Sequence, residues 1–206
     1  MSPNCRNKEK MNRTKVKIVK KLITFLLFSA FFIHVGLAIE IDIGLNYGKL
    51  QLKDSALKDI YGDGYVFNTY VRLTPHNFFS IEASYEGGYK KDGLVGIYNE
   101  NSTLEINGWE LCGIFHYRFK QFMPYVKFGY GYYTYKQDID SDFIRFKVDH
   151  HKSTYVVGAG LNIYLIKGFF FIAEVKHVPL KVKPFDIEKD LSGLRYLLGL
   201  GFEFEL

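Results

Sequence analysis

Residues 193–206 read GLRYLLGLGFEFEL, and the alternation within them decides the fold. In an extended chain Leu194, Tyr196, Leu198, Leu200, Phe202, Phe204 and Leu206 share one face, while Arg195, Leu197, Gly199, Gly201, Glu203 and Glu205 share the other. The apolar stripe matches a strand that crosses a bilayer at a tilt, which takes about 9–11 residues. Glycines and charges on the opposite face suit a narrow closed interior. The segment therefore reads as a transmembrane β-strand, apolar outward and polar inward.

The same period of two recurs through the rest of the chain. A first strand, Ile39 to Leu50, sends Ile41, Ile43, Leu45 and Tyr47 outward and Asp42, Gly44 and Asn46 inward. A second, Tyr65 to Thr74, faces Phe67, Val71 and Leu73 to lipid and Asn68, Tyr70 and Arg72 to the lumen. A third, Phe79 to Tyr89, sets Ile81, Ala83 and Tyr85 against Ser80, Glu82, Ser84 and Glu86. A fourth, Leu104 to Phe119, presents Trp109, Leu111 and Phe115 outward and Glu110, Cys112, His116 and Arg118 inward. A fifth, Pro124 to Tyr135, alternates Val126, Phe128 and Tyr130 with Lys127, Gly129 and Gly131. A sixth, Ser153 to Leu165, alternates Tyr155, Val157 and Ala159 with Gly158, Gly160 and Asn162. In a seventh, ended by Pro179, Phe171, Ala173 and Val175 oppose Glu174 and Lys176.

Pro75–Asn77, Lys120–Met123 and Lys167–Gly168 are tight turns, and long loops are expected at 52–64, 90–103, 136–152 and 179–192. Short and long connections alternate, so the expected fold is an all-β, eight-stranded antiparallel up-and-down transmembrane barrel with both termini at the short-turn end. An even strand count lets the last strand close on the first and removes the exposed edges. Outward aromatics gather near strand ends, as interfacial girdles do. A soluble eight-stranded carrier would need the reverse polarity.

The start of the chain agrees with this. Arg13, Lys15, Lys17, Lys20 and Lys21 precede an apolar run, Leu22 to Leu37, followed by the small residue Ala38. Residues 1–38 thus read as a helical secretory signal peptide cleaved between Ala38 and Ile39, leaving 39–206 as the barrel domain. Residues 1–10 are polar and precede a second candidate start, Met11. Eight of the 27 Lys and Arg and one of the 22 acidic residues lie before Ile39, which leaves 19 basic against 21 acidic residues. A mature chain near −2 gives no reason to expect a nucleic-acid partner. Cys112 is then the lone cysteine, so no internal disulfide forms.

The segments FFSIEASYEGGY (78–89), PYVKFGYGYY (124–133), YVVGAGLNIYL (155–165) and YLLGLGFEFEL (196–206) resemble the small outer-membrane β-barrel proteins of Gram-negative bacteria, the group that includes outer-membrane proteins A, X and W. The resemblance implies a monomer in contact with outer-membrane lipid and lipopolysaccharide, assisted by periplasmic chaperones and the barrel-insertion machinery. The ending Phe202, Phe204, Leu206 resembles the C-terminal insertion signal, with Leu206 where an aromatic is usual and Phe204 able to take that part.

The inward face gathers Asp42, Arg72, Glu82, Glu86, Glu110, His116, Arg118, Lys127, Glu174, Lys176 and Glu203. Both signs are nearly balanced, which suits a plug of mutually satisfied charges, since an unpaired buried charge is costly. A narrow ion or solute path is the alternative. Arg72 and Glu82 stand at similar depth across the 75–77 turn and are expected to pair. Inward glycines on strands five, six and eight should make room for Tyr70, Arg72, Tyr133, Tyr164 and Arg118. Asp138, Asp140 and Asp142 have calcium-loop spacing, but Phe143 and Asp149 stand where an EF-hand needs Gly and Glu, so no metal site is assigned. His177 is the one histidine placed for a lipid A-modifying site at the outer rim, and no neighbouring serine or asparagine accompanies it in sequence. The expectation is a non-enzymatic, cofactor-free barrel that stabilises the envelope and offers four loops for surface contact.

Overall fold

The computed structural model describes residues 39–140, 145–166, 168–183 and 189–205. The signal segment with Ala38, and also Asp142 and Leu206, lie outside these residues. In chain order the elements are β1 (Glu40–Leu52), α1 (Ser55–Tyr61), β2 (Gly64–His76), β3 (Phe79–Val95), β4 (Glu100–His116), β5 (Phe122–Asp140), β6 (Arg145–Ile166), β7 (Phe169–Val178), the short β8 (Lys181–Val182) and β9 (Lys189–Asp190), and β10 (Gly193–Glu205).

Eight of these strands form a closed antiparallel barrel in the order β1-β10-β7-β6-β5-β4-β3-β2. Closure is complete along β1 and β10, which pair from Glu40↔Glu205 to Leu52↔Gly193. Alternation dictates the facing: along β2 every second residue from Gly64 to Thr74 is buried, and the residues between them are exposed. Ile43, Val71, Leu111, Phe128, Leu198 and Leu200 form part of the apolar exterior. Towards the loops it carries Tyr47 stacked on Tyr65, with ring centroids 5.5 Å apart, and Tyr85 tilted on Trp109 at 4.9 Å. Towards the turns stand Phe79 with Phe115, 5.4 Å apart, and Phe202 with Phe204, 4.7 Å apart.

Several connections differ from the expected ones. The stretches taken as loops 90–103 and 136–152 are largely strand: β3 and β4 continue to a turn over residues 96–99, and the β5–β6 ladder runs up to Asp140↔Arg145. Polar strand outside the bilayer has no lipid-facing stripe to betray it, so composition mimicked a loop there. The first long connection holds α1. Asp54 caps this helix by accepting from the backbone N–H of Ala56 (2.9 Å) and Leu57 (3.2 Å), and Gly62, at φ 71°, ends it. The last holds the β8–β9 hairpin. β4 ends at His116, so Arg118 belongs to the turn.

Tyr89 departs from its expected outward phase. The β3–β4 register slips between Glu86 and Tyr89, and Gly88 takes φ 89°. This bulge turns Tyr89 inward, where it is fully buried.

Candidate functional site

The interior of the barrel is built in three layers. At the turn side Tyr70, Met123, Tyr164, Phe170 and Ile172 make an apolar and aromatic floor. At the loop side Leu50, Val66, Leu104, Ile106, Val148 and Val178 line an apolar roof. Leu57 and Tyr61 of α1 fill it from one side, and Leu180, Val182 and Leu191 from the other. The charged layer of the lumen is therefore flanked by apolar side chains towards both ends. Periodicity gives the side of the wall a residue faces but not its depth.

The middle layer holds the charges. In its turn-side half, Arg72 donates to Glu82 through Nε (3.2 Å) and Nη2 (2.9 Å), and its Nη1 lies 3.6 Å from Asp42. Lys127 Nζ reaches Glu82 at 3.2 Å and Glu174 at 2.6 Å, while Tyr125 OH donates to Glu174 at 2.6 Å. The Arg72 guanidinium also lies 5.1 Å from the ring centroids of both Tyr70 and Tyr125. In the loop-side half, Lys176 Nζ bridges Glu86 (2.8 Å) and Glu110 (2.6 Å). Glu110 also accepts from Ser84 at 3.1 Å and from Tyr133 OH. Arg195 Nε donates to Glu86 at 3.2 Å and its Nη1 to the Gly193 carbonyl at 2.9 Å.

These groups pack against one another almost without solvent contact. Arg72 is 1% exposed, Lys127 2%, and Lys176 and Arg195 0%. An aqueous channel of any width along the axis would wet them. Ten of the eleven lumen residues singled out from sequence are buried, and Arg118, 39% exposed, is the exception. It sits at the turn-side mouth, donating to Glu203 at 3.1 Å with its guanidinium 3.8 Å from the centroid of Tyr164. Glu203 also accepts from Tyr164 OH at 2.8 Å. His116 Nε2 lies 2.8 Å from Ser80 Oγ, which meets Thr74 Oγ1 at 2.9 Å.

Small residues set the space for this packing. A Cβ at Gly44 would strike Tyr70, one at Gly201 would strike Phe170 and then Tyr70, one at Gly108 or Gly131 would strike Tyr133, and one at Gly160 would strike Tyr125. The residues accommodated by these glycines are thus Tyr70, Phe170, Tyr133 and Tyr125; Arg72, Tyr164 and Arg118 rest on none of them.

Sequence reasoning left Arg195 out of the charged set, although it had placed it on the inward face. It also missed a polar cluster level with the roof and on its loop side. There Tyr61 OH lies 2.7 Å from Ser102 Oγ, Gln137 Nε2 donates to Tyr61 OH at 2.7 Å, and Tyr135 OH donates to Gln137. Lys189 Nζ completes it by donating to Gln137 at 2.7 Å, and burial pulls that lysine below its ordinary pKa. Tyr61 arrives on a helix that the strand pattern could not announce.

Catalytic arrangements are poorly served. Ser84 is bonded to a carboxylate, Ser102 to Tyr61 and Gln137, and His177 lies on the lipid-facing side, paired in register with Leu194 and Val157. Ser80, next to His116, is fully buried. Phe202 and Phe204 are exposed to the lipid side.

A family model described as "Outer membrane protein beta-barrel domain" matches residues 23–204. Among solved structures, the outer membrane protein OprG of Pseudomonas aeruginosa superposes with TM-score 0.66 at 11% identity, covering 82% of this chain and 98% of its own. The N-terminal β-barrel domain of Pseudomonas aeruginosa OprF gives TM-score 0.53 at 18% identity, covering 80% and 97%. The attachment invasion locus protein Ail of Yersinia pestis, in complex with the heparin analogue sucrose octasulfate, gives 0.51 at 18%, covering 81% and 97%. At these identities the likeness is one of fold. No curated protein matches in sequence.

Proposed function

Because this chain belongs to the outer membrane protein β-barrel family, a family of the Gram-negative outer membrane, we propose that it serves the envelope structurally and meets its surroundings through the loop-side face, without catalysis or conduction. The carrying observation is the dry charged layer. Five carboxylates (Asp42, Glu82, Glu86, Glu110, Glu174) interleave with four bases (Arg72, Lys127, Lys176, Arg195), all nearly inaccessible to water, between an apolar roof and an aromatic floor. Such a stack is a plug.

On this reading residues 1–38 direct export and are cleaved after Ala38. Phe202, Phe204 and Leu206 present the insertion signal to the barrel-insertion machinery, periplasmic chaperones escort the unfolded chain, and the mature protein is a monomer. Lipopolysaccharide packs against the aromatic girdle and the polar strand above it, where Lys136 and Lys90 stand outward.

Planar bilayers test the proposal. The wild-type barrel should give no steady conductance. Ohmic current that changes with Arg72→Ala or Glu82→Ala would overturn the plug in favour of an ion path, and altered lipid A on expression, lost with His177→Ala, would overturn the absence of catalysis.

A further inference from the structure

The polar cluster on the loop side of the roof holds an amine against an amide, away from water. Tyr61, Ser102, Tyr135 and Gln137 are all buried. Lys189 reaches them from β9, its Nζ donating to Gln137 Oε1 at 2.7 Å and to Tyr135 OH at 3.4 Å. Among the described residues no carboxylate pairs with this amine, and burial alone pulls it below its ordinary pKa of 10.5. Holding an ammonium there against neutral groups is costly; holding an uncharged amine is not.

The amide is gripped at both ends. Gln137 Oε1 accepts from Lys189 and from Tyr135 OH, while Nε2 donates to Tyr61 OH at 2.7 Å and to Ser102 Oγ at 3.2 Å. A carbonyl bond is about 1.2 Å long, so Nζ stands at most about 4 Å from the amide carbon Cδ. Reacting atoms in a near-attack pair lie about 3–3.5 Å apart. Rotation of the amide about its last torsion is enough to turn the face of Cδ towards the nitrogen.

We infer that Lys189 and Gln137 join after folding in an isopeptide bond, a covalent tie that the chain makes for itself between β9 and β5. The step needs no co-reactant. The Nζ–Cδ bond forms as the carbonyl electron pair moves to Oε1. Tyr135 OH touches both atoms concerned, so it takes the proton shed by Nζ while giving its own to Oε1. When the tetrahedral carbon collapses, that proton passes to Nε2, the Cδ–Nε2 bond breaks and Nε2 leaves as ammonia. Tyr61 and Ser102, 2.7 Å from each other, hold Nε2 throughout. Burial serves the reaction twice, by freeing the amine's lone pair and by excluding water as a rival nucleophile.

The position of the tie gives it a use. Among the described residues, β9 pairs with β8 alone, over two residue pairs, yet this hairpin region supplies Leu180, Val182 and Leu191 to the roof. Gln137 sits in the long β4–β5 ladder, opposite Leu104. A bond between residues 52 apart in sequence fastens a lightly held connection to the firmest part of the loop-side wall. The inference goes beyond the envelope role proposed above and is independent of whether the lumen conducts. A freshly refolded barrel carries the free amine and titrates as such; the tie follows with time.

The test uses the mature barrel refolded in micelles, its folding verified by heat-modifiable gel mobility, and held at about pH 9, where more of the amine is uncharged. Intact-mass spectrometry should show the protein become lighter by one ammonia, and peptide mapping should find a branched peptide joining Gln137 to Lys189. Lys189→Arg and Gln137→Met should keep their full mass, and Tyr135→Phe should slow the loss by about tenfold or more. The branched peptide should also be found in protein extracted from the outer membranes of expressing cells. A heat-modifiable wild-type barrel that keeps its full mass, ammonia lost from another residue, or equal loss from chain held unfolded in guanidinium would overturn the inference.

Discussion

Arg195 and Glu86 are separated by 109 residues in sequence and meet inside the barrel, with the guanidinium Nε 3.2 Å from Oε1 of the carboxylate. β10 and β3 stand three places apart in the closed strand order, so the pair spans the lumen. Removing one member leaves the other buried and less well matched. Arg195→Ala should therefore lower the urea stability of the folded barrel by about 3–5 kcal/mol. Adding Glu86→Ala should recover part of that loss, a non-additivity read from the double-mutant cycle.

Tyr133 lies over Gly131, whose Cβ, if present, would come 2.5 Å from the ring. Gly113 has its nearest neighbour, Phe79, at an ordinary 3.4 Å. Gly131→Ala should destabilise by about 1–3 kcal/mol through overpacking, while Gly113→Ala should be close to neutral in the same unfolding assay. Equal effects would refute the packing account.

Among the described residues, Lys189 is the lysine that burial holds below its ordinary value of 10.5. A depressed lysine binds fewer protons folded than unfolded, so its penalty is fully present at low pH and is relieved as pH rises from the depressed value towards 10.5. Stability should climb over that alkaline interval. Lys189→Met should flatten the climb, as measured by thermal unfolding between pH 7 and 10.

Cys112 faces inward and is 2% exposed. In a chain beginning at Ile39, where Cys112 is the single cysteine, a maleimide should leave the folded barrel unlabelled and react on unfolding in urea, giving a one-site report of closure. Rapid labelling of the heat-modifiable form would contradict the packed lumen.

The barrel was legible because lipid imposes a stripe. Ile43, Val71, Phe128 and Leu198 all follow the period of two, and each turned out facing lipid. The rule stops where lipid stops. Residues 90–95 and 147–152 continue as strand in water, where polar side chains suit both faces and nothing in composition separates ladder from loop. The slip at Gly88 hid Tyr89 for another reason: one extra residue reverses every later assignment on that strand. Arg195 was on the correct face, but its partner Glu86 could be named only after closure had brought the ends of the chain together. The roof was least legible, because Leu57, Tyr61, Leu180 and Leu191 reach it from connections, by tertiary contacts that leave no periodic trace.

The charged layer also bears on the order of assembly. Arg195 arrives with the last strand, and until β10 docks, Glu86 faces Lys176 alone across an open, hydrated slot. A sheet of the preceding strands would have to carry that wet slot into hydrocarbon, whereas the completed cylinder carries its charges already matched. Neutralising the interior and sealing the seam between β1 and β10 thus become one event, and the unfinished sheet is held at the membrane surface by its own water.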